Sequence, residues 1–377
     1  MKKVVILGGT GGLGRTMADA LMEQGDRVTV LGRAEPEGPG FVRFNILSDD
    51  WSIFEDALEG ADALIVTAGA GRVAPFDALT DAEVSRAFRL NAEGAALALH
   101  KAFPRLREAR DFYCAVLGSI AGLLPSPLMA AYGAAKAAVE KLVDALNAEL
   151  EEAGSENRIL GVYPGYFGGT GFEGKPEDRD QTRPLADEIL KRMWARETRF
   201  IPLYDEVYKG VLERCRSDPH AFALQSIAHK RASGRVDGGN RGKIGFLSGT
   251  FDLFHIGHLN LLKRAKQCCD HLVVGVHPET SRHKNKPVYI PLEERMALIA
   301  ACKYVDEVVV TLDEDDQMYD LIRYDLLFVG SDYKGTERFN RYERELLPLG
   351  VKIIYFPYTE GTSSTQLRRA IDGGGRQ

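Results

Sequence analysis

The chain has 377 residues, of which 45% are apolar and 27% charged, with a formal net charge of −6. At ~150 residues per domain this length predicts two or three domains, each able to bury a core, and the composition excludes disordered, collagen-like and disulfide-scaffold classes. The acidic balance argues against a nucleic-acid partner, which normally requires a basic excess, so phosphate recognition has to be local. Five cysteines, with no C-x-x-C spacing and one adjacent pair (Cys268, Cys269), fit a reducing compartment and read as small buried residues. The apolar run at residues 4–7 is broken by Gly8, too early for a signal peptide or a membrane span. The expectation is a cytoplasmic protein with no membrane partner.

In chain order, KKVVIL reads as a strand buried on both faces, followed by the glycine-rich turn GGTGGLG and a helix over residues 15–24. Strands are predicted over 27–31, 63–67, 113–117 and 159–163, and helices over 83–101 and 132–151. Residues 229–242, rich in Gly and Arg with almost no large apolar side chain, cannot pack and read as a linker. Beyond it KIGFLSG opens a second series, with strands over 271–276, 307–311, 326–329 and 351–356. The helices there are predicted over 258–269, 292–301, 318–324 and 365–371. Alternating strand and helix predicts an α/β chain of two doubly wound, parallel-sheet (Rossmann-like) domains, 1–228 and 243–377, around the linker 229–242.

Gly8, Gly12 and Gly14, with Leu13 between the last two, occupy the first strand-to-helix turn. There the backbone can approach a pyrophosphate, favoured by the helix amides and dipole. Arg33 follows the second strand where a NAD-preferring fold places an acid. It suits a 2′-phosphate and favours NADP(H), with a solvated surface arginine as the alternative. Tyr132 and Lys136 lie one helical turn apart on one face. A phenol ordinarily titrates near ~10, and a neighbouring ammonium favours the phenolate, which suits proton transfer.

Together with Ser119, thirteen residues before Tyr132, and Asn91, these residues resemble the short-chain dehydrogenase/reductase family over roughly residues 1–225. The resemblance implies that Ser119 orients a substrate carbonyl, Tyr132 passes a proton, Lys136 holds the nicotinamide ribose and Asn91 supports a proton relay. It also assigns Ala68, Gly69, Pro164 and Gly165 to cofactor-lining turns. Leu7, Thr67, Asn45 and Thr170 depart from the family pattern and affect cofactor details. Substrate choice in that family falls in the loop 168–183, whose Lys175, Arg179 and Arg183 could meet a phosphate or be a solvated charged surface.

In the second domain, SGTFDLFHIGH places His255 and His258 at a strand-to-helix junction, where two imidazoles could stabilise a phosphate during displacement. A zinc site is the rival reading, but no third ligand follows at suitable spacing. This stretch and EGTSST at 360–365 resemble the cytidylyltransferase-like nucleotidyltransferase family, in particular bacterial glycerol-3-phosphate cytidylyltransferase. The resemblance implies nucleotide contacts from Gly249, Thr250, Phe251, His255, His258 and Asp332. It places Lys284 and Lys286 on the triphosphate and acceptor phosphate, and Ser363, Ser364 and Thr365 at the leaving pyrophosphate, with Mg2+ present. Without it, Ser-Ser-Thr before LRRAI is a plain helix cap. Tyr358 stands where relatives carry arginine, which bears on the acceptor and on CTP against ATP.

The two resemblances imply a bifunctional enzyme: NADPH reduces a sugar phosphate to a polyol phosphate, and CTP converts that into a CDP-polyol for capsule or teichoic-acid-type polymers. Two alternatives stand beside it. One has uncoupled domains, with an ATP-dependent transferase or a reductase acting on a nucleotide-linked sugar. The other makes the first domain a non-catalytic cofactor-binding module. Both families associate through helices beside their sites, which implies a homodimer or homotetramer.

Overall fold

Strands covered on both faces build the first half of the chain. In the computed structural model, which describes residues 1–33, 40–108, 111–170, 177–233, 236, 243–278 and 288–357, Lys3–Leu7 (β1) and Ala63–Val66 (β4) are buried from Val4 and Ala63 onward. They join Arg27–Gly32 (β2), Phe41–Arg43 (β3), Tyr113–Leu117 (β5), Ile159–Val162 (β6) and Arg199–Phe200 (β7) in a parallel sheet. Its order is β3-β2-β1-β4-β5-β6-β7. Alternate residues of β1 face opposite layers. Val4 and Ile6 pack with Met17 and Leu21 of Gly12–Glu23 (α1) and with Ile189 and Met193 of Arg179–Trp194 (α6). Val5 and Leu7 join the cluster that takes in Phe54 of Ser52–Leu58 (α2), Leu99 of Gly94–Glu108 (α4) and Val143 of Ala130–Glu152 (α5). Burial on both faces explains the unbroken apolar strands. The strand order reverses between β1 and β4, and a doubly wound sheet takes ligands at the carboxyl ends beside such a point.

Three features depart from the sequence expectation. The helix predicted over 83–101 is instead Asp81–Phe88 (α3), a π-helical turn Arg89–Glu93, and α4. The segment 168–183 is not all loop: Asp178 caps α6, so Arg179 and Arg183 are helical. Arg179 pairs with Asp19 at 3.0 Å and Arg183 with Glu23 at 2.8 Å, which ties α6 to α1; Lys175 lies outside the described residues. Beyond Lys209–Ser217 (α7), Asp218 accepts from the Ala221 amide at 2.9 Å with Pro219 in the first turn, a strong helix start. The resulting Pro219–Ala232 (α8) carries residues 229–232 of the expected linker as its last turn.

The chain divides into two compact units, Met1–Arg241 and Gly242–Gln377. In the second, Ile244–Gly249 (β8), His271–Val276 (β9), Glu307–Val310 (β10), Leu326–Gly330 (β11) and Lys352–Phe356 (β12) pair in the order β10-β9-β8-β11-β12, all parallel. Ile256–Cys268 (α9) and Leu292–Ala300 (α10) bury Leu262, Ala265 and Ile299 on one face. Met318 of Asp315–Ile322 (α11) and Phe339, Tyr342 and Leu346 of Glu337–Leu346 (α12) fill the other. The helix expected over 365–371 lies outside the described residues. No helix among the described residues is long and apolar enough to cross a membrane.

Lys266 on α9 is only 2% exposed. Its Nζ donates to Asp306 Oδ2 at 2.6 Å and to the Asp270 carbonyl at 2.8 Å, and Asp306 Oδ2 also accepts from the Leu272 amide at 2.6 Å. Losing one partner of a buried pair costs roughly 3–5 kcal/mol, less where water still reaches the other, as at Asp306. Lys266→Met should therefore lower the stability of the second unit by about 2 kcal/mol in urea unfolding. Arg183→Gln, at a solvent-exposed pair, should leave the urea midpoint of the first unit essentially unmoved.

Candidate active sites

At the carboxyl end of β1 the backbone of Gly8 takes φ +98°, and a Cβ there would collide with the amide of Ala68 at the end of β4. The Gly8 amide donates to Leu31 of β2 at 2.8 Å, so three strand ends meet at this glycine. A Cβ on Gly14 would strike Thr67 Oγ1, which lets α1 approach β4 closely. The departure at Thr67 is thereby explained: its hydroxyl fills the space beside Gly14 and donates to the Leu7 carbonyl at 3.3 Å.

The helix start at Gly12, φ +51°, follows Gly11 with no side-chain cap and no acid in the first turn, which leaves its amides to an anion. A carboxylate already lies beside it, since a Cβ on Gly11 would be 2.6 Å from Glu177 Oε1. Leu13 turns its side chain into the core, so its backbone is what faces this start. The cradle fits the pyrophosphate of a dinucleotide. Arg33 is half-buried immediately after β2, and the register pairs Gly32 with Arg43 on β3. Arg43 therefore lies across from the residue preceding Arg33, a second guanidinium that only strand register reveals. Asn45, 2% exposed, accepts from the Leu47 amide at 3.0 Å and shapes the turn after β3.

The candidate proton-transfer residues converge near Gly69. Asn91, 1% exposed, sits in the π-helical turn, a distortion common at functional sites. Its Nδ2 donates to the carbonyls of Ala70 (2.8 Å) and Ala87 (2.9 Å), and its Oδ1 accepts from the Ala70 amide at 3.1 Å. One side chain thus clamps the loop after β4 from both sides. Lys136 Nζ donates to the Leu117 carbonyl at 2.8 Å and lies 5.9 Å from the Tyr132 ring centre. A Cβ on Gly69 would come within 2.7 Å of Asn91 Oδ1 and 3.1 Å of Lys136 Nζ. Ser119, at the end of β5, accepts from the Ala121 amide at 3.2 Å and hydrogen-bonds the Tyr132 phenol.

Burial lowers the pKa of Lys136 to about 8. Tyr132 is pushed upward by burial, with the Ser119 hydrogen bond acting against that shift. The ammonium was expected to favour the phenolate, but its hydrogen bond goes to Leu117 and desolvation prevails, so the phenol keeps its proton at neutral pH. Pro164 accepts from the Ile120 amide at 2.9 Å. Gly165 lies directly under the hydroxyl of Tyr208, where a Cβ has no room.

In the second unit the loop after β8 contains two left-handed residues, Phe251 (φ +52°) and Leu253 (φ +51°). Such strain, of order 1–3 kcal/mol per residue, persists only where surroundings enforce it. Two buried charges do so, and neither was singled out in the sequence. Asp252 Oδ1 accepts from the amides of Tyr289 and Ile290, both at 3.1 Å. Arg295, fully buried, donates to the carbonyls of Thr250 (2.7 Å), His277 (2.8 Å) and Ile290 (2.8 Å). A sequence signal exists for Asp252, which lies inside GTFD. Arg295 shows only as one charge on an otherwise apolar helix face.

His255 caps α9, its Nδ1 accepting from the Gly257 amide at 3.0 Å. That bond selects the neutral tautomer with a proton on Nε2, and burial lowers its pKa in the same sense. The His258 ring stacks on it at 4.0 Å, with Phe251 edge-on at 5.3 Å. Among the described residues no group of three His, Cys, Asp or Glu is arranged to hold a metal ion. Gly249 ends β8, and Asp332 follows its neighbour β11, so both lie at the carboxyl edge beside the strand-order reversal. Lys284, Lys286, Ser363, Ser364, Thr365 and Tyr358 lie outside the described residues.

Gly8→Ala combines an unfavourable φ with a backbone collision. It should destabilise the first unit by about 3 kcal/mol, read as a fall in its thermal unfolding midpoint with the second unit's transition unmoved.

Comparison with known proteins matches each unit to a family. The short chain dehydrogenase family model matches residues 52–180 and the cytidylyltransferase-like model residues 246–370. Glycerol-3-phosphate cytidylyltransferase of Bacillus subtilis (strain 168) is 36% identical over 128 residues, covering 33% of this chain and 94% of that protein. Ethanolamine-phosphate cytidylyltransferase of Dictyostelium discoideum is 34% identical over 137 residues, 34% of this chain and 38% of that protein. A short chain dehydrogenase from Burkholderia cenocepacia, solved in complex with NADP, matches 60% of this chain and 97% of its own, with a TM-score of 0.50 and 22% identity, a likeness of fold. The chain therefore belongs to two families at once, joining a short-chain dehydrogenase/reductase domain to a cytidylyltransferase-like domain.

Proposed function

We propose that the chain is a bifunctional enzyme whose first domain reduces a sugar phosphate to a polyol phosphate and whose second couples that product to CTP. The observation that carries the reading is the convergence of Asn91 and Lys136 at Gly69, with the hydrogen-bonded Ser119–Tyr132 pair beside Lys136, in one chain with the His255–His258 pair. NADPH supplies the hydride. Tyr132, protonated at neutral pH, gives its proton to the carbonyl oxygen that Ser119 orients, and Lys136 holds the ribose. Arg33 and Arg43 meet the 2′-phosphate, a reading in keeping with the NADP found in the Burkholderia protein.

In the second domain a phosphate oxygen of the polyol phosphate attacks the α-phosphorus of CTP. The bond to the β-phosphate oxygen breaks and pyrophosphate leaves. His255 and His258 donate to the phosphate as charge builds. Lys284 and Lys286 would neutralise the acceptor and triphosphate, Ser363, Ser364 and Thr365 the leaving group, and Mg2+ would accompany the nucleotide's own phosphates. The CTP assignment follows the curated cytidylyltransferases; the product, a CDP-polyol, would serve capsule or teichoic-acid-type polymers.

A mixture of protein, NADPH, CTP, Mg2+ and C3 to C7 sugar phosphates should show equal NADPH oxidation and pyrophosphate release, with a CDP-alditol in the mass spectrum. Tyr132→Phe should cut NADPH oxidation by about 10²–10⁴-fold while pyrophosphate release from added alditol phosphate continues. If no sugar phosphate supports both signals, or ATP replaces CTP without loss, the coupled cytidylyl reading is wrong.

The reduction should also depend on pH in a defined direction. Lys136 loses its proton as pH rises through about 8, removing the charge that binds the ribose. The kcat/KM for reduction should be level below that value and fall above it. A profile flat to well beyond pH 9 would contradict the role given to Lys136.

A further inference from the structure

A recess opens beside Tyr132 between the loop after β4, the helix α3 and the start of α5, lined by Arg72, Leu79, Glu83, Arg86, Met129 and Tyr132 among others. We infer that Arg72 and Arg86 bind the phosphate of the reductase substrate in this recess while its carbonyl faces Tyr132. The inference rests on the reductase reading above and names which end of the substrate the site recognises.

Charge supports it first. Two guanidiniums and one carboxylate line the recess, a local cationic excess in a chain of net charge −6. That carboxylate is already engaged on both oxygens: Glu83 Oε2 accepts from the Thr80 amide at 3.0 Å in a capping box, and Oε1 takes Arg72 Nη1 at 3.0 Å. Glu83 thus orients Arg72, and the side chains of this pair remain 24% and 21% exposed, so an incoming anion can reach the guanidinium.

Position supports it second. Arg72 lies two residues beyond Ala70, whose amide and carbonyl are both held by Asn91, so its backbone is fixed relative to Lys136 and Tyr132. Arg86 faces the same recess from α3, and planar guanidiniums suit bidentate phosphate contacts. Arg179 and Arg183, which the sequence left as phosphate contacts or a solvated charged surface, instead pair with Asp19 and Glu23 of α1.

The full-length protein would be compared with Arg86→Gln and Arg72→Gln, each checked by its melting transition. The substrates are sugar phosphates and the same sugars without phosphate. Each variant should raise KM for the phosphorylated substrate at least tenfold, leave kcat within about threefold, and leave the unphosphorylated sugar unaffected; Arg86→Lys should recover part of the loss. Should both arginine variants keep the wild-type preference for phosphorylated substrate, the recess assignment falls while the reductase reading stands. Calorimetric titration of the NADPH complex with sugar phosphate separates the two in the other direction. If no sugar phosphate is reduced yet binding weakens tenfold in the variants, the reductase reading fails and the recess stands; if binding is also unchanged or absent, both fail.

Discussion

The contact that the first domain depends on is the one between Gly8 and Ala68, where β1 and β4 end side by side with no space for a side chain. Because the strand order reverses here, the two chain ends diverge onward to opposite layers and leave a crevice above the sheet. On one side α1 begins with uncapped amides. On the other the loop after β4 is clamped by Asn91, whose π-helical turn inserts one more residue into the helix than the α-helical repeat allows. Steric closeness of backbone to backbone therefore positions both the start of α1 and the residues gathered at Gly69, the candidate anion and proton-transfer sites.

The second domain reaches a comparable result by different means. Its loop after β8 carries left-handed phenylalanine and leucine instead of glycine, and pays for that strain with buried charges. Arg295 and Asp252 between them satisfy five backbone groups of the loop, the end of β9 and the segment before α10. Held in this way, the loop presents His255 as a neutral donor at a helix start, with His258 stacked on it. A neutral imidazole suits the nucleotidyl transfer proposed above, since it stabilises negative charge by hydrogen bonding without holding the product as an ion pair would.

Charge distribution links the two domains chemically. The chain is net acidic, and the phosphate contacts proposed for it are few: helix amides with Arg33 and Arg43, the Arg72–Arg86 recess, and the histidine pair. Exposed arginines such as Arg179 and Arg183 are spent on neighbouring carboxylates. A basic residue in a charged loop is thus a poor guide to phosphate binding unless its surroundings are known.

The strands of both sheets and the helices around the motifs were legible in the sequence, because burial on both faces leaves unbroken apolar runs and one helix face leaves a regular repeat. So were the glycine turns and the Ser119, Tyr132, Lys136 and His255, His258 spacings, which are local. Less legible were β3 and β7, too short to show a pattern, and α6 and α12, whose many charges mask the buried Ile189 or Phe339. What tertiary structure alone decided was which distant residues come together: Arg43 opposite Gly32 through strand register, Asn91 on Ala70 through a π-helical turn, Arg295 on the loop after β8, and Arg72 and Arg86 in one recess with Tyr132. Sequence records periodicity and backbone freedom, which are properties of neighbours along the chain. Hydrogen bonds between residues tens of positions apart exist only once the sheet order has brought them together.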